Sequence, residues 1–217
     1  MGTTPQTGET GKQLALTALR KAIGAGDMVP GQRLVEAELA ELFGVTRASV
    51  RAALLELTAA GLVERVPNRG ARVRLVTVPE AVAITECRMV LEGLCAAKAA
   101  ELGTDEQIAE LISLGEAMRR AVADGEPMKY SALNRDLHAR VREIAAQPVA
   151  SELLDRLQGQ LVRHRFRLAL RAGRPAKSLS EHLAIIAAIA DRDPAGAEAA
   201  ARAHLRSVID ALEESDG

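Results

Sequence analysis

Aromatic residues are almost missing: the 217-residue chain has no Trp, one Tyr (Tyr130) and two Phe (Phe43 and Phe166). That argues against gripping single-stranded nucleic acid by base stacking. Cysteine is equally scarce. Cys87 and Cys95 stand eight residues apart on one expected helix, about 12 Å between Cα atoms, too far for a disulfide. They match no metal-ligand spacing and are expected as buried thiols in a reducing compartment. No run approaches ~18 consecutive apolar residues, so no membrane span is expected. Met1–Glu9 is polar without an apolar core segment, so no secretory signal is expected and the working localisation is cytoplasmic. A net charge of -1 with 48% hydrophobic residues excludes an intrinsically disordered chain.

Alanine and leucine dominate instead, which favours helix. The near-zero net charge hides an asymmetry. Residues 1–78 carry 10 Lys+Arg against 7 Asp+Glu, whereas residues 79–217 carry 18 against 22. A basic first part and an acidic second part suggest separate tasks. The stretch from Arg65 to Pro79 holds Arg65, Arg69, Arg72 and Arg74 and no acid.

In the first part, Leu14, Leu16, Leu19 and Ile23 predict a helix over 11–25. A short helix follows over 36–43, closed by Gly44. Thr46 is placed to cap a third helix reaching about Ala60, with Val50, Leu54 and Leu57 at helical spacing. Period-two patterning at 62–66 and 71–75, around Pro67-Asn68-Arg69-Gly70, predicts a hairpin with a basic tip. Beyond Pro79, six helical segments are expected: 80–101, 104–123, 128–146, 149–171, 179–191 and 195–214. The fold class is therefore mainly α. A winged helix-turn-helix (residues 1–78) precedes an all-helical bundle (79–217), with the hinge at Val76–Pro79.

Helix, turn, basic helix and basic wing in this order suit double-stranded DNA. The second helix of such a unit enters the major groove with its N-terminal residues at base edges. Here those are Thr46, Arg47, Ser49 and Arg51. Arg reads guanine bidentately, and hydroxyls bond bases or phosphates. Arg69 and Gly70 at the hairpin tip would approach the duplex backbone.

Pro30-Gly31-Gln32-Arg33-Leu34, Leu39-Ala40-Glu41-Leu42-Phe43-Gly44-Val45-Thr46-Arg47 and Val50-Arg51-Ala52-Ala53-Leu54 resemble the GntR family of bacterial transcription regulators. Leu57-Thr58-Ala59-Ala60-Gly61-Leu62-Val63 and Arg69-Gly70-Ala71-Arg72-Val73 continue the match. The resemblance implies operator contacts from Thr46, Arg47, Arg51 and Gly70, and Arg33 in the first motif joins that set. Ala48 departs from the polar residue common at its position.

Three of the four histidines in the second part invite a metal. His138 follows Asn134 by one helical turn, and His182 and His204 fall on two further helices. One oxygen and three imidazoles pointing into a bundle suit a divalent cation. Unrelated core histidines are the plain alternative. His164, within Arg163-His164-Arg165-Phe166-Arg167, reads as part of a basic face, as do most of Arg163, Arg165, Arg167, Arg171 and Arg174.

Glu86-Cys87-Arg88-Met89-Val90-Leu91-Glu92, Asn134-Arg135-Asp136-Leu137-His138, Glu181-His182-Leu183-Ala184-Ile185-Ile186 and Ala203-His204-Leu205 resemble the FadR-type subfamily with its all-helical FCD effector domain. That resemblance implies a metal (zinc first, with nickel or manganese as alternatives) on Asn134, His138, His182 and His204. It also implies Arg88 as partner of an effector carboxylate. Asn134 departs from the acid common at its position and is a weaker ligand. Asp136, two residues from His138, faces another side, and Leu137 replaces a common aromatic. Without a metal, Arg88 and the histidines could take an anion directly.

The reading is a ligand-responsive DNA-binding regulator, a repressor first. It would bind a pseudo-palindromic operator as a homodimer and sense a small carboxylate. The alternatives are a metal-dependent helical enzyme fused to a DNA-targeting domain, or a DNA-binding scaffold without effector. No nucleophile elbow or phosphate loop is present, no general acid or base is placed beside the histidines (Glu181 and Asp136, their sequence neighbours, point elsewhere), and the chain is read as not an enzyme.

Overall fold

Alternation of Leu and Ala at helical spacing starts the first unit. In the computed structural model, which describes residues 6–67 and 70–214, α1 (Gly8–Ala25) buries Ala15, Leu16, Leu19 and Ile23 on one face. Leu14, expected in that stripe, is 46% exposed, because two residues carry it about 200° around the helix from Leu16. α2 (Glu36–Phe43) ends at Gly44, whose φ of +64° lets the chain reverse while its N–H reaches the carbonyls of Ala40 and Glu41. A side chain with a Cβ would be strained there. α3 (Arg47–Ala59) starts at Thr46, whose Oγ1 accepts the Ser49 N–H at 3.2 Å.

Three short strands close this unit: β1 (Arg33–Leu34), β2 (Val63–Val66) and β3 (Gly70–Val73). They form an antiparallel sheet in the order β1-β3-β2, with Leu34 opposite Ala71 and Val63 opposite Val73. Those four side chains are buried in one core with Leu16, Leu19, Val50 and Leu57. β1 carries no alternation signal because it is two residues long. Gly70 takes φ +83° at the start of β3.

Among the described residues the second unit is built of helices only: α4 (Val78–Leu102), α5 (Asp105–Ala123), α6 (Pro127–Ile144), α7 (Pro148–Gln160), α8 (Val162–Ala169), α9 (Arg174–Ala190) and α10 (Pro194–Glu213). Their starts are chemically marked. Thr77 caps α4, Thr104 and Gln107 form a reciprocal capping box on α5, and Asp193 accepts the Gly196 N–H at 3.0 Å on α10. α4 packs along α10, α10 against α9, and α5 against α6 and α9. Cys95, Leu111, Met118, Leu137, Leu154 and Ile189 form its core.

Two helix boundaries are corrected. The segment 149–171 is two helices, because at Leu161 the N–H turns to the Gln158 carbonyl in a tighter i-3 bond and its side chain is buried. Gly159, a weak helix former, lies two residues before that break. The fifth helical segment begins at Arg174 rather than 179, since Pro175 sits in the first turn, where its missing N–H costs nothing. By compactness the described chain divides between Val76 and Thr77, residues 158–163 being counted with the first unit. Cys95 is buried as expected, but Cys87 is exposed. No helix among the described residues is long and apolar enough to cross a membrane.

The cores and caps set a stability scale. In urea unfolding, Leu111→Ala, at a fully buried position, should cost the helical unit about 2–5 kcal/mol. Thr46→Ala should cost the first unit about 1 kcal/mol through loss of the α3 cap.

Candidate functional site

The first unit presents a basic surface around the start of α3. Arg47 is exposed at the first turn and Arg33 is exposed on β1. Thr46 is half-buried, its hydroxyl engaged by the Ser49 N–H and 2.9 Å from the Ser49 Oγ. Ser49 itself is only 4% exposed. Its hydroxyl faces inward and braces the helix start, which withdraws Ser49 from the DNA-facing set. Arg51 is exposed and lies against Glu36 of α2: Nη2 donates to Oε2 at 2.7 Å and Nε reaches both carboxylate oxygens at 3.1 Å. Gly70 is exposed at the hairpin, and Arg69 lies outside the described residues.

In the second unit, α6, α9 and α10 bring His138, His182 and His204 together, one ring nitrogen of each within 4.8 Å of the others. The Nε2 atoms of His138 and His182 are 3.2 Å apart, and the His182 and His204 ring centroids are 4.3 Å apart. Each Nδ1 is engaged on the outer side. His138 Nδ1 lies 2.9 Å from Glu92 Oε2 on α4. His182 Nδ1 lies 3.0 Å from the Tyr130 hydroxyl on α6. His204 Nδ1 lies 2.8 Å from Glu181 Oε2 on α9. Imidazoles oriented in this way through one nitrogen leave the other free to ligate, the arrangement typical of metal-bound histidine.

Arginines hold the two carboxylates. Arg88 Nε and Nη2 both reach Glu92 Oε1, at 2.9 and 2.8 Å. Arg174 Nη2 donates to Glu181 Oε2 at 3.2 Å, and its Nη1 donates to the Ser207 hydroxyl at 2.6 Å. Burial pushes the Glu92 carboxyl up, but the charges of Arg88 and then His138 outweigh it and hold Glu92 well below the usual carboxylate range. Burial, then the charges of the neighbouring imidazoles, hold His182 well below the ordinary imidazole range. His204 is lowered in the same way, by burial and then by His138. At neutral pH both rings are neutral, the form that binds metal.

Asn134 sits one turn before His138 on α6, and its Oδ1 is buried without a hydrogen-bond partner among the described residues. A buried, unsatisfied amide oxygen is costly. The neutral rings of His182 and His204, with His138 converging on them, fit a borderline divalent cation, so the three could hold a metal ion, with Asn134, one turn from His138, a candidate fourth ligand.

Several expectations change. Arg88 directs two donors at Glu92, so its first role here is to clamp that carboxylate. Glu181 does not point elsewhere: from α9 it reaches His204 on α10, while its neighbour His182 reaches His138 on α6. Asp136 is exposed. His164 is 4% exposed and belongs to the interior, not to a basic face. Of the arginines assigned to that face, Arg174 is 7% exposed and bridges α9 to α10. Arg165 is half-buried, and burial, then the charges of Arg135 and Arg88, lower it to about 10.

The sequence reading missed Glu92, Tyr130 and Arg174. A signal existed for two: Glu92 follows Arg88 at i+4, and Tyr130, Asn134 and His138 share one face at i, i+4, i+8. Arg174 carried no such signal.

Comparison with known proteins agrees with both units. Residues 83–207 match the FCD domain, and residues 13–73 match the bacterial regulatory proteins of the gntR family. The chain is 26% identical over 196 residues to the HTH-type transcriptional repressor RspR of Escherichia coli (strain K12), covering 90% of this chain and 86% of that protein. It is 31% identical over 212 residues to the HTH-type transcriptional repressor NanR of Citrobacter rodentium (strain ICC168), covering 87% and 78%. Among solved structures, E. coli McbR/YncC shares the fold with a TM-score of 0.82 at 22% identity, over 95% of this chain and 98% of that one. A putative transcriptional regulator GntR from Rhodococcus sp. RHA1 gives a TM-score of 0.76 at 23% identity, over 94% and 98%. With its two units matched in order, the chain belongs to the GntR family of bacterial regulatory proteins and carries an FCD domain behind its winged helix.

Proposed function

We propose that this chain is a transcription repressor that binds operator DNA as a homodimer and is released by a small carboxylate effector sensed at the histidine cluster. The observation that carries the effector half is the convergence of three imidazoles, each tied through Nδ1 to a separate partner. The names of RspR and NanR as repressors support the DNA half.

On the DNA side, α3 would lie in the major groove. Arg47 and Arg51 would face base edges, Thr46 would support the helix start, and Arg33, Arg69 and Gly70 would lie toward the backbone. The open N–H groups of the α3 start favour a phosphate. One such unit reads a half-site, so two copies are needed for a pseudo-palindrome. A bacterial chain acting on operator DNA works in the cytoplasm.

On the effector side, His138, His182, His204 and Asn134 would hold a divalent cation, zinc first. When bound, that cation supplies a Lewis-acid site for a carboxylate oxygen. Glu92, Tyr130 and Glu181 keep the rings oriented, and Arg88 and Arg174 keep the two carboxylates in place. Arg88 retains Nη1 for an effector. Both carboxylates at the cluster are committed to an arginine and an imidazole, so neither serves as a general base, which favours sensing over turnover. The effector shifts operator affinity only through its different affinities for the two states of the protein. A coupling of about 1–3 kcal/mol would change DNA affinity roughly 5–150-fold.

Elemental analysis of tag-free protein purified without chelator should find about one metal ion per chain in the wild type and none in His182→Ala. Metal-free wild type after supplementation would overturn the metal-bound effector site and leave the DNA reading standing. Replacing one outer partner, as in Glu181→Gln, should weaken metal retention about 10–100-fold in chelator competition. For the DNA half, duplexes selected from a random pool should bind the wild type with an affinity that falls steeply with salt, and Arg47→Ala should weaken binding. Small carboxylates should release the protein from the selected duplex and be recovered unchanged; their consumption would favour an enzyme.

A further inference from the structure

Glu36 is a carboxylate close enough to Arg51, Arg65 and Arg47 to feel their charges. It is the first residue of α2 and accepts two donors of Arg51 from α3, with Nη2 at 2.7 Å and Nε at 3.1 Å. The hydrogen bonds from Arg51 hold its carboxyl below the ordinary range against a cost of burial, and the charges of Arg65 and Arg47 act in the same direction. Arg51 remains well exposed, at 60% of its side-chain surface.

A guanidinium is a planar fork with two usable edges. Glu36 occupies the Nε/Nη2 edge of Arg51, which leaves the Nη1/Nη2 end for another acceptor. An arginine free to rotate can satisfy a phosphate or any acceptor-bearing base. One whose plane is fixed by a carboxylate presents two parallel donors along one line, the geometry that matches guanine O6 and N7. A nearby negative charge also disfavours indiscriminate approach of phosphates. The same pair is too exposed to be a large source of stability.

We infer that Glu36 is a positioning residue that fixes the edge of Arg51 presented to DNA and thereby sets base selectivity at the operator position Arg51 reads. The inference rests on the proposal that α3 enters the major groove.

The test uses the full chain and a duplex it selects from a random pool. Wild type, Glu36→Gln, Arg51→Lys and the double variant are then measured on that duplex, on variants changed one base pair at a time, and on random-sequence DNA. Wild type should prefer guanine at one position in each half-site. Glu36→Gln should flatten that one preference about tenfold, leave the other positions intact, and bind random DNA at least as tightly. Arg51→Lys keeps the charge but loses the fork, and should flatten the same position. The double variant should be no flatter than Arg51→Lys alone, because Glu36 acts through Arg51. Thermal unfolding of each variant reports the structural role separately. If Glu36→Gln does not fold, Glu36→Asp, one methylene short, should flatten the same position.

The inference is overturned if Glu36→Gln keeps the wild-type preference, weakens every duplex equally, or adds to the effect of Arg51→Lys. If wild type selects no sequence at all, the DNA reading itself falls, and the role of Glu36 with it.

Discussion

The helical unit depends on burying three imidazoles against one another. A ring nitrogen taken from water must find a partner, and an imidazolium placed beside two others would be repelled as well as desolvated. The fold answers by keeping His182 and His204 neutral and by giving the Nδ1 of each of the three rings a partner: Glu92 from α4, Tyr130 from α6 and Glu181 from α9. Each carboxylate then requires its own cation, which brings in Arg88 and Arg174. Four helices are thus committed to one small volume. The long pairing of α4 with α10 makes that commitment affordable, because it supplies apolar burial on either side of the polar cluster.

The winged unit follows a parallel logic at its surface. Thr46 and Ser49 are both hydroxyl residues at the start of a helix, yet they divide the work. Thr46 satisfies a backbone donor of α3, while Ser49 turns inward and locks the turn. The arginines meet the opposite constraint. Left alone, a basic surface attracts any polyanion, and a carboxylate such as Glu36 is the simplest way to give one of its arginines a direction.

Much of this was legible in the residues. Gly44, Thr46 and the period-two stretches on either side of Pro67 marked the winged unit, because turns, caps and alternation are local and need no partner. The three histidines were legible as a constellation because each sits at an apolar-facing position on a separate periodic segment. The break at Leu161 was not read, since it comes from a shift in hydrogen bonding and its local mark, Gly159, is a single glycine inside an otherwise helical pattern. Nor was the inward turn of Ser49 or the burial of His164 and Arg174. Those depend on what packs against them from other elements.

By itself, then, the sequence determined the order of elements, the caps and turns, and the residue types at the two sites. Each of these follows from interactions within about one helical turn or one hairpin. Only the tertiary structure decided which nitrogen of each histidine is tied and to what, that Glu181 reaches His204 across α9 and α10, and that Arg51 faces Glu36. Those pairings join residues up to 52 positions apart, as in Tyr130 with His182. Helical periodicity says which face a side chain occupies but carries no information about which other helix that face will meet.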